Sequence, residues 1–257
     1  MNKKRFSAYM FILTIIFFYL PLVVLVIYSF NGGKTNAWAG FSFKWYEELF
    51  NHSDRLWTSF RYSIVIALTS AALSTVIGTL GAIALHWYNF KHKRYLQVIS
   101  YLPLVLPDII MGVSLLILFS TVKFELGLMS IFLAHTTFNI PFVLFIILSR
   151  LHEFDFSIVE AAYDLGATER QALTKVVIPS LMPGIVSGFL MAITLSLDDF
   201  VITFFVAGPG SSTLPLHIYS MIKFGVSPVI NALSVILIAG TVGLALSTKK
   251  IQKYMLS

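Results

Sequence analysis

Six apolar runs, each about the length needed to cross a bilayer as a helix, follow one another along the 257 residues. A hydrocarbon core about 30 Å thick takes about 20 apolar residues as helix, and helices or closed barrels alone satisfy their backbone groups in lipid. The runs are roughly 9–30, 60–87, 98–122, 128–149, 184–206 and 228–247, which gives an all-α polytopic membrane protein with six transmembrane helices. Only 12% of the residues are charged, against about 25% in a soluble domain. The first run follows Lys3, Lys4 and Arg5 as in a signal peptide. It is too long for such a segment and no small-x-small cleavage pattern follows Phe30, so it is expected to be a retained helix.

An even number of spans puts both termini on one side. With that side cytoplasmic, the loops and ends there carry Lys3, Lys4, Arg5, Lys91, Lys93, Arg94, Arg150, Arg170, Lys175, Lys249, Lys250 and Lys253, twelve of the eighteen Lys and Arg. The other six are Lys34, Lys44, Arg55, Arg61, Lys123 and Lys223. The positive-inside bias therefore sets both termini in the cytoplasm. The net charge of +6 is accounted for by this topology and calls for no nucleic acid. Cysteine is absent, so disulfides and thiolate metal sites are excluded.

The cytoplasmic connection at 151–183 carries the most information. Ser157 followed by Glu160, and Thr168 followed by Gln171, are capping-box spacings. Gly166 suits a left-handed helix terminus and Pro179 a helix stop. Two short helices joined by a tight turn are expected, the first exposing Ile158, Val159, Ala162 and Leu165. Ala161 and Ala162 leave room for close approach by another protein.

The acids within the spans are the second signal, because a carboxylate in lipid is costly and by default functional. Asp108 falls near the middle of the third run, and Asp198 and Asp199 in the outer half of the fifth. Successive residues of an intact helix point about 100° apart, so one of the pair is expected to face a path and the other to cap a local break or to meet a neighbouring subunit. No Lys or Arg lies beside them in the runs, which points to an external cation. Trp45, among the aromatics of the outer side, is a candidate cation–π partner. His135, with Thr136, Thr137 and Asn139 nearby, reads as a hydrogen-bonded bundle histidine.

Several patterns fail. Gly33-Lys34-Thr35 ends like a phosphate-binding loop, but Tyr28 stands where the first glycine is required. Asn51-His52-Ser53 is a sequon without context. An intramembrane enzyme would need a paired nucleophile and base, which the sequence does not display. A passive channel has no use for a structured cytoplasmic lever.

The spacing Glu160-Ala161-Ala162, then Gly166, then Val176-x-Ile178-Pro179 resembles the EAA loop of ABC importer permeases, with Val176 and Ile178 in place of Ile and Leu. The runs beginning at Tyr101, Leu195 and Leu214 resemble the C-type permease subunits of spermidine/putrescine importers. The resemblance implies a single permease domain over 1–257 with a type I importer fold of five core helices and one extra at the N terminus. It implies ATPase coupling through Glu160, Ala161, Ala162, Gly166 and Pro179, and a polyamine path past Asp108, Asp198, Asp199 and Trp45. The implied partners are a homologous second permease, a cytoplasmic ATPase dimer and a periplasmic polyamine-binding protein. No cofactor is expected in this chain, since ATP and Mg²⁺ belong to the partner ATPase. The alternative is a permease for another solute, such as a metal chelate, thiamine or another small cation. An anion importer would place Lys or Arg where this chain places Asp.

Overall fold

The computed structural model describes residues 3–34, 37–223 and 227–255, with side chains described from 6 to 243 within those ranges. Thr35, residues 224–226 and the side chains of Lys3, Lys4, Arg5, Lys249, Lys250 and Lys253 lie outside that description. The chain forms two compact units, one of residues 1–55 with 218–257 and one of residues 56–217. Among the described residues it is helical, with one isolated bridge, Asn31 to Phe41, in place of any strand.

In the first unit, α1 (Lys3–Ser29) and α2 (Lys44–Asn51) pack against α12 (Val229–Met255). The apolar stretch Phe6–Ser29 of α1 is almost wholly exposed, as a lipid-facing helix must be. Asn31 organises the connection to α2. Its Nδ2 donates to Ala37 O at 2.9 Å, and its Oδ1 accepts from Ala39 N at 2.8 Å. Phe30, Phe41, Phe43 and Tyr46 pack ring against ring beside it.

The second unit contains α3 (Asp54–Trp87), α4 (Lys93–Val105), α5 (Asp108–Thr121), α6 (Leu128–Glu153), α7 (Ser157–Asp164), α8 (Glu169–Ala172), α9 (Ile178–Asp198) and α10 (Val201–Val206), followed by the start of α11 (Leu214–Lys223). Its centre is the packing of α6 on α9. Helix α9 turns Gly184, Gly188, Ala192 and Ser196 inward at four-residue intervals. Small residues at that spacing let backbones approach, which is how helices associate without a hydrophobic drive between them. A Cβ at Gly188 would stand 3.2 Å from Val143 Cγ1, and one at Gly184 would stand 2.8 Å from Arg150 Cγ. Helix α3 joins in the same way: a Cβ at Gly78 would meet Val143 at 2.9 Å.

Two expectations about the spans are corrected. The third run is not one helix. α4 and α5 meet at 114°, because Pro107 holds Leu106 in extended backbone (φ −72°, ψ 138°) and is itself extended (ψ 140°). Pro103 and Pro141, by contrast, stay inside helices. The fifth run starts earlier, continuous in helix from Glu169, and ends at Asp198 rather than at 206. The sixth run lies within α12, which continues in helix to Met255; the part of it among residues with described side chains is the apolar stretch Val229–Gly243. Among the described residues, four helices, or five counting the bent pair as one span, are long and apolar enough to cross a membrane, and Val229–Gly243 is a shorter apolar helix beside them.

Candidate coupling loop and intramembrane site

Helix α7 begins one step away from the expected cap. Ser157 is its first residue, and its N–H donates to Asp155 Oδ1 at 2.9 Å. Asp155 thus replaces Ser157 as the side chain that satisfies a free amide, and the Ser157–Glu160 box does not form. That hydrogen bond holds the Asp155 carboxyl below the ordinary aspartate range. The end of α7 follows expectation. Gly166 is left-handed (φ 83°), Gly166 N–H donates to Tyr163 O at 2.8 Å, and Ala167 N–H donates to Ala162 O at 3.0 Å. This is the Schellman pattern that closes helix ends. The second box does form, with Thr168 N–H donating to Gln171 Oε1 and Gln171 N–H to Thr168 Oγ1.

Pro179 does not stop the second helix. A π turn over Leu173–Val177 precedes it, with Ile178 N–H donating to Leu173 O, and α9 continues beyond. Proline clashes with the carbonyl four residues back, and the widened turn relieves the crowding. The loop is therefore joined to the fifth span by unbroken helix from α8 onward.

The faces of α7 also differ from expectation. Val159 is buried, and packs in the cluster that holds Leu151, Ala172, Val177 and Leu181. Ile158 and Leu165 are exposed, Leu165 to 89%, and Ala162 is half-buried. Glu160 and Ala161 are exposed on the same short helix. A groove of about 400 Å³ runs beside it, lined by His86, Trp87, Phe156, Val159, Glu160 and Tyr163. The Tyr88 hydroxyl donates to Glu169 Oε1 at 2.7 Å and ties the end of α3 to the start of α8; that bond raises the phenol's pKa.

Gly166→Val is expected to weaken the loop by about 1–2 kcal/mol through backbone strain alone, because a Cβ there would meet nothing within 4 Å. Faster hydrogen exchange confined to α7 and α8 is the measurement. Unchanged exchange would remove the argument from the left-handed turn.

The acids fall into different settings. Asp108 is exposed at the first residue of α5, directly after the 114° bend, rather than within a continuous helix. Asp198 is the last residue of α9 and exposed. Asp199 sits in the break between α9 and α10, where no proline or glycine occurs. Its Oδ1 accepts from Ile202 N–H at 3.1 Å, and its Oδ2 from Thr203 N–H at 2.8 Å and Thr203 Oγ1 at 2.7 Å. These are the free amides of a new helix, so Asp199 is the capping member of the pair.

His135, 1% exposed on α6, completes the junction. Its Nδ1 lies 2.7 Å from Ser196 Oγ, and its Nε2 lies 3.1 Å from Asp199 Oδ2 and 2.9 Å from Thr203 Oγ1. Ser70 Oγ donates to Ser196 Oγ at 3.4 Å from α3. Sequence reading missed Ser196 and Thr203. The spacing Ser196-x-x-Asp199-x-x-x-Thr203, three and four residues about one aspartate, was the available signal. Serine, histidine and aspartate do meet here, yet the serine is 4% exposed, so no substrate carbonyl can reach it. Among the described residues, no His, Asp or Glu group is arranged to hold a metal.

Trp45 lies in the first unit, 4% exposed, with Nε1 donating to Asn31 O at 2.6 Å. The Lys44 ammonium stands 5.1 Å from its ring centroid. The chain's own cation thus already uses that ring.

Residues 74–255 match the family model for the binding-protein-dependent transport system inner membrane component. The chain belongs to that family. It is accordingly a multi-pass inner membrane transport subunit and not an enzyme, ATP hydrolysis being the work of a separate subunit. It is 42% identical over 248 residues to the spermidine/putrescine transport system permease protein PotC of Haemophilus influenzae, covering 96% of each chain. It is 40% identical to PotC of Escherichia coli, covering 92% of this chain and 90% of that one. It is 43% identical to the putrescine transport system permease protein PotI of Escherichia coli, covering 89% and 83%. Among solved structures, a bacterial ABC transporter that imports the acidic polysaccharide alginate superposes with TM-score 0.72 at 16% identity, covering 97% of this chain and 98% of that one. The inward-facing MetNI methionine ABC transporter superposes with TM-score 0.58 at 20% identity, covering 76% and 92%. At such identities these two establish the fold only, that of type I ABC importer permeases.

Proposed function

We propose that this chain is the permease subunit of an ATP-driven importer for polyamines, with both termini in the cytoplasm and the two units working as one transmembrane domain. The observation that carries the reading is identity above 40% along nearly the whole chain to a spermidine/putrescine permease. The chemistry agrees with it. Asp108 and Asp198 are exposed carboxylates at two helix breaks, without an ion pair or side-chain hydrogen bond to another described residue. Alkylammonium groups satisfy such carboxylates, and anions do not. The partners are a second permease of the same family, a cytoplasmic ATPase dimer and a periplasmic polyamine-binding protein.

Glu160, Ala161, Ala162 and Gly166 form the lever that meets the ATPase, and Pro179 lies where that lever enters the fifth span. Closure of the ATPase dimer favours one of two arrangements of the permease pair through its contacts with the exposed side of α7, and so moves the path between outward-open and inward-open states.

Labelled spermidine uptake tests the reading in cells carrying the full transport system. Deletion of this chain is expected to abolish uptake. Asp198→Asn and Asp108→Asn, which keep shape and remove charge, are expected to lower it at least tenfold. Glu160→Ala is expected to separate ATP hydrolysis from uptake while membrane insertion stays intact. Uptake that survives deletion would end the polyamine assignment.

A further inference from the structure

The break after α9 contains none of the residues that ordinarily break helices. Leu195-Ser-Leu-Asp-Asp-Phe-Val-Ile-Thr203 holds neither proline nor glycine, and in lipid every free backbone group raises the cost of stopping a helix. Asp199 supplies part of the answer by accepting from Ile202 and Thr203. Its extended backbone (φ −65°, ψ 122°) sets the change of direction. A carboxylate that turns a helix inside a membrane needs a fixed partner, and the one present comes from a different helix.

We infer that His135 is the positioning residue of the transport site: it brackets the α9–α10 break and thereby fixes where Asp198 points. One imidazole reaches both sides of the break. Nδ1 meets Ser196 in the last turn of α9, and Nε2 meets Asp199 at the turn and Thr203 in the first turn of α10. The hydrogen-bond directions close without conflict for the tautomer protonated at Nε2. Ser70 then donates to Ser196, Ser196 to Nδ1, Nε2–H to the Asp199–Thr203 pair, and Thr203 to Asp199. Ser196, His135 and Thr203 are all at most 4% exposed, so water does not substitute for a lost contact. Four donors on one carboxylate leave Asp199 little capacity for a substrate. Asp198, the residue before the bracketed turn, is exposed and is the acid left for the cation. The pair thus divides into a capping acid and a binding acid, with His135 enforcing the division.

The inference rests on the polyamine reading above, and its test separates the two. The complete importer is reconstituted in liposomes with labelled spermidine, and the chain's lack of cysteine makes Asp198→Cys its only thiol. His135→Ala is expected to raise the half-saturating spermidine concentration at least tenfold, with assembly and basal ATP hydrolysis within twofold of the unmodified complex. His135→Gln keeps a donor toward Asp199 and is expected to restore the value to within threefold. His135→Asn reaches only the Ser196 side and is not. The double variant with Asp199→Asn is expected to be no worse than Asp199→Asn alone, the non-additivity of residues acting through one another. Labelling of Asp198→Cys by a cationic methanethiosulfonate is expected to slow at least tenfold when His135→Ala is added. Half-saturation and labelling rate both within twofold after His135→Ala would overturn the proposal. If the unmodified complex takes up no spermidine, the polyamine reading fails, and the thiol rate alone then decides the role of His135.

Discussion

Gly208→Ala is expected to prevent the chain from reaching its folded state in useful amounts. A Cβ at Gly208 would overlap the carbonyl of Leu126, with Gly127 N at 3.0 Å behind it. Both neighbours are backbone, so no side chain can rotate away. The segment is pinned from several directions. Ser130 Oγ donates to Val206 O at 2.7 Å, Gly127 N–H donates to Ser130 Oγ at 2.7 Å, and Ser211 Oγ donates to Gly208 O at 2.7 Å. Overpacking a well-packed site costs about 1–3 kcal/mol when side chains can adjust, and more is expected when the backbone must move. The measurement is the yield of membrane-inserted, detergent-stable protein. Gly210→Asn is the control: it sits at φ 76°, has nothing within 4 Å of its Cβ, and asparagine tolerates that region. Equal yields for Gly208→Ala and Gly210→Asn would contradict the close approach at Leu126.

The second large effect concerns the cytoplasmic lever. Val159→Asp is expected to release α7 from the unit, because it buries an unpaired carboxylate among Leu151, Val177 and Leu181. Leaving a charge without a partner in such a site costs about 3–5 kcal/mol. Hydrogen exchange should become fast throughout α7 and α8 while the spans stay protected, and uptake should fall more than tenfold. Leu165→Asp introduces the same charge at a position 89% exposed. It should leave exchange unchanged and impair only what the exposed face meets. Protection of α7 retained in Val159→Asp would mean that the lever is anchored elsewhere.

The loop was legible in the sequence wherever one residue type answers one local need. Gly166 occupies the left-handed position because few other residues adopt it cheaply, and Thr168 with Gln171 close their box over three residues. Where two residues compete for the same role, local reading chose wrongly. Asp155 accepts from the Ser157 N–H, so the helix already includes Ser157, and the Glu160 amide that Ser157 was expected to cap bonds Phe156 O instead. Pro107 and Pro179 carry the same local signal, yet one breaks a helix and the other does not. A π turn precedes Pro179 and the helix runs on through it, whereas Leu106 and Pro107 are both extended. The intramembrane site was legible only in half. Asp198 and Asp199 stand out in any apolar run, and the expectation that one of them caps a break is met by Asp199. The side chain that meets Asp199 from another helix is a histidine sixty-four residues away in sequence, and only the packing of α6 on α9 brings the two together.

The π turn at Leu173–Val177 also sets a phase. It accommodates one residue more than an α-helical turn would, and each residue advances a helix by about 100°. Removing a single residue from this turn would leave a regular helix, and would rotate α7 and α8 by nearly a third of a circle about the axis of α9. The exposed side of α7 would then look toward a different neighbour, with every residue of the loop itself unchanged. In this protein the direction in which the coupling surface faces is encoded as a count of residues upstream of Pro179, separately from the chemistry of that surface.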